Sequence, residues 1–434
     1  MTAVTDMPDL TSYRRSQLAA TLEFLRQRSP FYRDRLKEPD ITVDNAAEML
    51  RGLPPLTPDD WESARLSIRT GPLDGASFGY SGGTTATPKI FVSAAAELAA
   101  IHETFGSSDQ TGKVLVVGNM GHGPASVTGF PATAVQHALS FYQPEQFGQV
   151  MAVLERKIEP YTSLEPIESI QGMLIRIKQL SVYIMRQRGR LDDLGIKRIV
   201  VARSFLSPRW RRRLGEWWAA DIQALYGFSE LRMCNAQECR ECGYFHMPPS
   251  CVGEILGTEG GMSPVGPGER GMIAVTAFHP FVGLEPRVRY MPGDIAELSA
   301  NPCPRWGEHG FRPIGRRRDA IWSPADRTWI GPADIFPAVD HPSVYCLHPF
   351  VTTHDPFAPT VENHINDEVG NPRFRLAKGD PPKLHVELRY DPLIWREESA
   401  RVRESISAKV PFRMDVLVYG PGSLGQDPAI SNIH

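Results

Sequence analysis

Apolar positions near the start of the chain recur at helical spacing. Leu18, Leu22 and Leu25, then Phe31 and Leu36, predict a helix over 11–38 that breaks at Pro30, whose ring removes a donor and clashes with the preceding turn. Pro54-Pro55-Leu56-Thr57-Pro58 ends a short capped segment. Two short apolar runs within 75–92 flank a Gly/Thr-rich loop, so a strand is predicted on each side of it. VLVVGNMGHG (114–123) reads as a buried strand entering a glycine-rich turn, with a helix from Pro131, a good first-turn residue, to Leu139. A long helical pattern covers 165–190, followed by a strand at 196–202 and a helix at 208–219. Strand, glycine turn and helix in alternation predict an α/β architecture.

The period changes at 252–300, where VGEILGT, GMIAVTAF and RVRYMPGDIAEL are short β-like runs between Gly/Pro turns. This predicts a β-rich subdomain. After GRRRD (315–319) comes a new unit, with strands at 384–390 and 415–419 and a helix at 393–407. The fold class expected is therefore mixed α/β: a large N-terminal core, 1–318, and a small mobile C-terminal α+β domain, 319–434, with the boundary at Asp319.

Composition narrows the function. The chain has 434 residues, 41% apolar and 22% charged, with a formal net charge of −3. A nucleic-acid binder would carry a basic excess, and the one basic run, Arg209 to Arg213, is interrupted by Trp210 in an amphipathic pattern that reads as a solvated face. No stretch reaches the ~18 apolar residues of a membrane span, and MTAVTDMPDLTSYRR lacks the apolar core of a leader. Neither nucleic acid nor membrane is an expected partner, and the cytoplasm is the expected compartment. Six cysteines are too few for a disulfide scaffold in a chain this long. Their crowding into CNAQECRECGYFH points to metal instead. Cys239, Cys242 and His246 have the spacing C-x2-C-x3-H, which suits tetrahedral structural zinc. Cys303 is the first candidate for the fourth ligand, with Cys234, Cys251 and His309 as alternatives.

Four further segments carry chemistry. YSGGTTATPK (80–89) offers exposed amides, hydroxyls and a backbone free of Cβ obstruction, as polyphosphate binding requires, though it does not match the P-loop. ALYGFSE (224–230) ends a predicted strand with a ring able to stack on a base, Tyr226, and a carboxylate able to hold Mg²⁺ between phosphates, Glu230. In RVRYMPGDIAEL, Asp294 follows a Pro-Gly turn, where an acidic residue can accept both ribose hydroxyls. IGRRRDAI places Arg316 and Asp319 at the boundary to the last unit. Each alone reads as readily as a turn. There is no GxSxG elbow, and no Ser/His/Asp triad is assigned.

In order and spacing these segments resemble the adenylate-forming superfamily of acyl-CoA synthetases and adenylation domains, within it the phenylacetate-CoA ligase-like branch. The resemblance covers nearly the whole chain, beginning with RSPFYRDRL (28–36) and LPPLTPDDW (53–61). It implies a phosphate-binding loop at Ser81, Gly82, Gly83, Thr84, Thr85 and Lys89. Tyr226, Gly227 and Glu230 would supply adenine stacking and the Mg²⁺ ligand, Asp294 the ribose contact, and Arg316 its companion cation. Asp319 would be the hinge of the C-terminal domain, and His122, in GNMGHG, the gate beside the substrate carboxylate. Glu230, Thr85, Arg316, Lys89 and His122 are the implied catalytic residues. The implied reaction is ATP-dependent activation of a small aromatic carboxylic acid as acyl-AMP, then transfer to CoA, a carrier-protein thiol or an amine, in bacterial specialised metabolism. The protein would act as a monomer or homodimer, with ATP, Mg²⁺, structural Zn²⁺ and CoA as cofactors.

Two departures qualify this. Ala86 replaces the last glycine of the phosphate loop, and after the well-matched PGSL (421–424) the lysine positions hold Ile430 and Asn432, the last lysine being Lys409. A missing cation at developing phosphoryl charge costs a few kcal/mol, on the order of 10²–10³ in rate. The alternatives are thus the same fold joining an acid to an amine or forming a nitrogen–nitrogen bond without a thioester, or a degenerate nucleotide-binding scaffold.

Overall fold

A computed structural model describes residues 10–37, 39–80, 90–97, 99–100, 113–118, 135–138, 144–159, 162–163, 166–202, 204–228, 230–231, 234–258, 262–347 and 369–425. The chain divides into two compact units. One is drawn from Met1–Thr111, Met120–Ala134 and Leu225–Arg312, the other from Gly112–Asn119, Val135–Ala224 and Pro313–His434.

In the first unit the helix Leu10–Arg28 buries Leu18, Leu22 and Leu25 on one face. It ends where Ser29 turns extended ahead of Pro30, the first residue of the short helix Pro30–Arg33. The helix Pro58–Ile68 starts from a capping box: the Thr57 hydroxyl accepts the Asp60 N–H at 3.2 Å and the Asp60 carboxylate accepts the Thr57 N–H at 3.0 Å. These helices pack on an antiparallel array of Cys251–Leu256, Arg270–Ala277 and Asp294–Pro302, the three runs predicted as the β-rich subdomain. Between the last two strands the chain runs along Val275, with Tyr290 and Val275 exchanging N–H···O bonds of 2.9 Å. On the other side Leu56 donates to Arg289 O at 3.0 Å and accepts from Met291 N–H at 2.9 Å. Tyr290 is thus held along both backbone edges.

The second unit contains four parallel strands in the order Val135–Ala138, Lys113–Gly118, Ile167–Met173, Arg198–Ala202. The helix Leu174–Arg188 follows the third of them, and Pro208–Trp218, capped by the Ser207 hydroxyl on Trp210 N–H, follows the fourth. Two predicted helices are corrected here. The pattern over 165–190 begins with the strand Ile167–Met173 and turns helical only at Leu174. Ile167, Ile170 and Met173 fit one face of a helix as well as a buried strand, and pairing on both edges decides for the strand. Within 131–139, residues Val135–Ala138 form a strand, since a four-residue segment takes its state from the neighbour it pairs with; Pro131 lies outside the described residues.

Beyond Asp319 come the hairpin Ile321–Ser323 with Thr328–Ile330, the helix Pro332–Val339, and a sheet of Phe374–Ala377, Lys383–Glu387 and Asp415–Tyr419, with the helix Arg396–Ser407. Ile335, Phe336, Leu384, Val386, Val402 and Ile406 fill its core. The mixed α/β class read from the sequence is the class observed. Among the described residues no helix is long and apolar enough to cross a membrane.

Candidate functional site

Two constellations of the first unit carry chemistry. The first joins two segments of the same form, YGFSE (226–230) and YMPGD (290–294), each a tyrosine with a carboxylate four positions later. They are crossed reciprocally. Tyr226 Oη donates to Asp294 Oδ2 at 2.6 Å, and Tyr290 Oη donates to Glu230 Oε1 at 3.0 Å. The first is as short as a charge-assisted bond, and the second lies at the long end of ordinary O–H···O bonds. Asp294 is 3% exposed and Tyr290 2%. Gly227 is required by a close approach: a Cβ there would lie 1.8 Å from Asn235 Oδ1.

Tyr226 is the residue for which the resemblance implies base stacking. Its ring is 7% exposed and meets Phe228, Phe311 and Phe245 edge-on, at centroid distances of 5.0, 5.5 and 6.2 Å. Tyr290, absent from the sequence reading, has a cation beside it. The Arg287 guanidinium lies 5.5 Å from its ring and 3.3 Å from that of Trp61. Burial pulls the Arg287 pKa down, opposed by the nearby Tyr290, Glu285 and Glu230. The repeated Tyr-x-x-x-Asp/Glu pattern was visible in the sequence. That its two copies cross was not.

The second constellation gathers Cys239, Cys242, His246 and Cys303, whose ligand atoms all lie within 4.8 Å of one another. Two turns of identical build present the cysteines. In 239–244 the Gly243 N–H bonds Cys239 O and the Cys239 N–H bonds Tyr244 O, both at 2.8 Å. In 303–308 the Gly307 N–H bonds Cys303 O and the Cys303 N–H bonds Glu308 O, again at 2.8 Å. Gly243 and Gly307 have φ of +72° and +66°, which a side chain would strain. The turns share only the cysteine and the glycine, and at the fourth position one carries Cys242 and the other Trp306. The Trp306 ring stacks on His246, 5.0 Å away and 2° from parallel, and His246 supplies the fourth ligand atom.

These groups fit a tetrahedral metal. The Cys239–Cys303 Sγ separation is 3.7 Å, and two thiolates ~2.3 Å from one zinc ion at the tetrahedral angle stand about 3.8 Å apart. Burial acts to raise the Cys239 pKa, but N–H groups of Cys242 and Glu241 outweigh it and hold the thiol below its ordinary value. Burial, then the neighbouring Cys303 and Cys239, push Cys242 up to about 12. A set this crowded takes up its full negative charge around a cation. Glu308 Oε1 stands 3.7 Å from His246 Nδ1, and its other oxygen binds Arg14. Of the alternative ligands, His309 Nδ1 meets Ser299 O at 2.8 Å, and Cys234 and Cys251 are buried outside the cluster.

Arg316, in the second unit, is half-buried at the end of the strand His309–Arg316, and its carbonyl accepts the Asp319 N–H at 3.0 Å. Ser81, Gly82, Gly83, Thr84, Thr85, Lys89, His122, Ile430 and Asn432 lie outside the described residues.

No family model matches the chain, and no curated relative matches it. Solved structures do match. 2-Hydroxyisobutyryl-CoA ligase in the postadenylation state, in complex with 2-HIB-AMP, aligns over 97% of this chain and 87% of that one, with a TM-score of 0.65 at 14% identity. The open conformation of the same ligase, with 2-HIB-AMP and CoA, aligns over 95% and 88%, with a TM-score of 0.62 at 14% identity. A benzoate CoA ligase from Burkholderia xenovorans LB400 aligns over 84% and 68%, with a TM-score of 0.50 at 16% identity. The chain shares its fold with these CoA ligases.

Proposed function

We propose that this chain activates a small carboxylic acid with ATP. The acid's oxygen bonds to the α-phosphorus, the α–β phosphoanhydride bond breaks, and acyl-AMP and pyrophosphate form. The acyl group then passes to CoA. The observation that carries this reading is the pairing of Glu230 and Asp294 on crossed segments, in a fold aligned over 97% of its length with a ligase solved with an acyl-AMP. In this reading Asp294 accepts the ribose hydroxyls and Glu230 holds Mg²⁺ on the phosphates. Ser81, Gly82, Gly83, Thr84 and Thr85 cradle the phosphates. Lys89 and Arg316 supply positive charge where it develops, His122 gates the carboxylate, and Asp319 is the hinge between 1–318 and 319–434. The acid is aromatic. Cys239, Cys242, His246 and Cys303 hold one structural zinc ion, since four protein ligands leave no open position.

Acid-dependent exchange of pyrophosphate into ATP tests the reading. Exchange with at least one acid of an aromatic and short-chain panel is expected; ATP binding without exchange by any acid would count against it. A second reading rests on Ile430 and Asn432, which stand where the resemblance places a catalytic lysine. There the acyl-AMP is captured by an amine with no thioester step, and product mass spectrometry with CoA omitted separates the two.

A further inference from the structure

The crossed pairs define a role for two phenol hydroxyls that base stacking does not use. We propose that Tyr226 and Tyr290 are positioning residues, each fixing the carboxylate of the other segment for a different part of the nucleotide: Tyr226 orients Asp294 for the ribose, and Tyr290 orients Glu230 for the metal on the phosphates. This rests on the nucleotide reading proposed above.

The argument starts from what a carboxylate must do at each place. A ribose contact needs both lone-pair directions aimed at two vicinal hydroxyls, and a metal contact needs one oxygen held at a fixed distance. A lone Asp or Glu side chain rotates freely enough to blur both. A hydrogen bond from a fixed donor to one oxygen removes that freedom. Asp294 is held this way through Oδ2 and Glu230 through Oε1.

The two donors are themselves held, which a positioning role requires. Tyr226 ends the strand Asp221–Tyr226, paired with Ala236, and its ring is packed edge-on by three phenylalanines. Tyr290 is gripped along both backbone edges by Val275 and Leu56, with the Arg287 guanidinium near its ring. Rotation of either ring out of its bond would open packed structure. The arrangement also couples the two subsites, because each segment carries one donor and one acceptor. A displacement of 226–230 moves the ribose donor together with the metal carboxylate.

The test uses the full chain with Tyr226→Phe and Tyr290→Phe, which keep the rings and remove only the hydroxyls. Binding of ATP and 2′-deoxy-ATP is measured by calorimetry, and the metal requirement by titrating Mn²⁺ into the enzyme–ATP complex and following its magnetic resonance. Tyr226→Phe is expected to shrink the preference for ATP over 2′-deoxy-ATP by about 10-fold, the factor of one lost hydrogen bond, and to leave the Mn²⁺ midpoint unchanged. Tyr290→Phe is expected to raise the Mn²⁺ midpoint about 10-fold and leave the sugar preference unchanged, as loss of an outer partner of a metal ligand does. Equal shifts of both readouts in both variants, or lowered thermal stability with neither readout moved, would overturn the proposal in favour of a purely structural pairing. Should either variant fail to fold, the same split is read with Tyr226 or Tyr290 replaced by 3-fluorotyrosine, which keeps the ring and the hydroxyl and changes only the strength of the phenol's hydrogen bond. ATP binding with unaltered readouts sinks the positioning roles alone, whereas no ATP binding by the wild type sinks the nucleotide reading with them.

Discussion

The thiol cluster and the crossed tyrosine–carboxylate pairs are built from the same unit, yet they treat their donors in opposite ways. The cluster brings Cys239, Cys242, His246 and Cys303 to within 4.8 Å and covers His246 with Trp306. Its donors are soft, mutually directed and complete at four. The crossed pairs use hard oxygen donors, with Tyr226 on Asp294 and Tyr290 on Glu230. A set of four ligand atoms that face one another suits a closed structural site, whereas carboxylates fixed by donors from the opposite segment suit the positioning of a ligand. The contrast teaches that a cluster of ligands is read by its geometry rather than by its reactivity, and it can be broken experimentally from either side.

The largest effect is expected from the closed set. Structural zinc in small knuckles contributes on the order of 10 kcal/mol to folding. Cys239→Ser should therefore lower Tm by more than about 10 °C, with loss of one equivalent of zinc by elemental analysis. An unchanged Tm with the zinc equivalent retained would place the metal elsewhere. Next come the open pairs. Glu230→Gln and Asp294→Asn should each reduce acid-dependent pyrophosphate exchange by ~10²–10³ while Tm moves by less than about 4 °C and zinc content stays constant. If either variant also lost zinc, the two regions would be one cooperative structure rather than two devices.

A smaller effect should come from Gly227→Ala. The new methyl would meet Asn235 Oδ1 at 1.8 Å, so either Asn235 or the 226–230 segment must shift. Such overpacking costs about 1–3 kcal/mol. Pyrophosphate exchange is expected to fall at least ~10-fold, because movement of this segment disturbs Tyr226 and Glu230 together, while the zinc equivalent is kept.

How legible each region was in the sequence follows from what held it together. The thiol cluster was legible because its ligands share one short segment, C-x2-C-x3-H, and only Cys303 had to be found at a distance. Trp306 was not, since only the bonds from Gly243 and Gly307 show that its turn repeats the first. Glu230 and Asp294 were marked by their motifs, but the donors fixing them come from the opposite segment, pairings of residues 60 and 68 positions apart that no local pattern encodes. The same limit acted on the fold. The helix break at Pro30 is local chemistry and was read correctly, whereas the stretch 54–58, expected to end a capped segment, caps the start of Pro58–Ile68 through Thr57. The strands Ile167–Met173 and Val135–Ala138 take their state from neighbours in the sheet and were read as helix.

The smallest expected effect also asks most directly what Trp306 does. The turn 303–308 has the same two backbone bonds as 239–244, and the latter carries a ligand, Cys242, at the position that Trp306 occupies. A thiol at 306 would therefore point toward the same centre, in competition with His246. Alone, Trp306→Cys should change metal affinity by less than about 10-fold, because the imidazole still completes the set. In a His246→Ala background it should restore binding that the alanine variant has lost. Cobalt substitution reads the outcome: thiolate-to-cobalt charge-transfer absorption per bound ion should rise in the double variant, as a fourth sulfur replaces nitrogen. If His246→Ala binds cobalt no better with Trp306→Cys than without it, the likeness of the two turns ends at the backbone, and Trp306 serves to shield and orient the His246 ring.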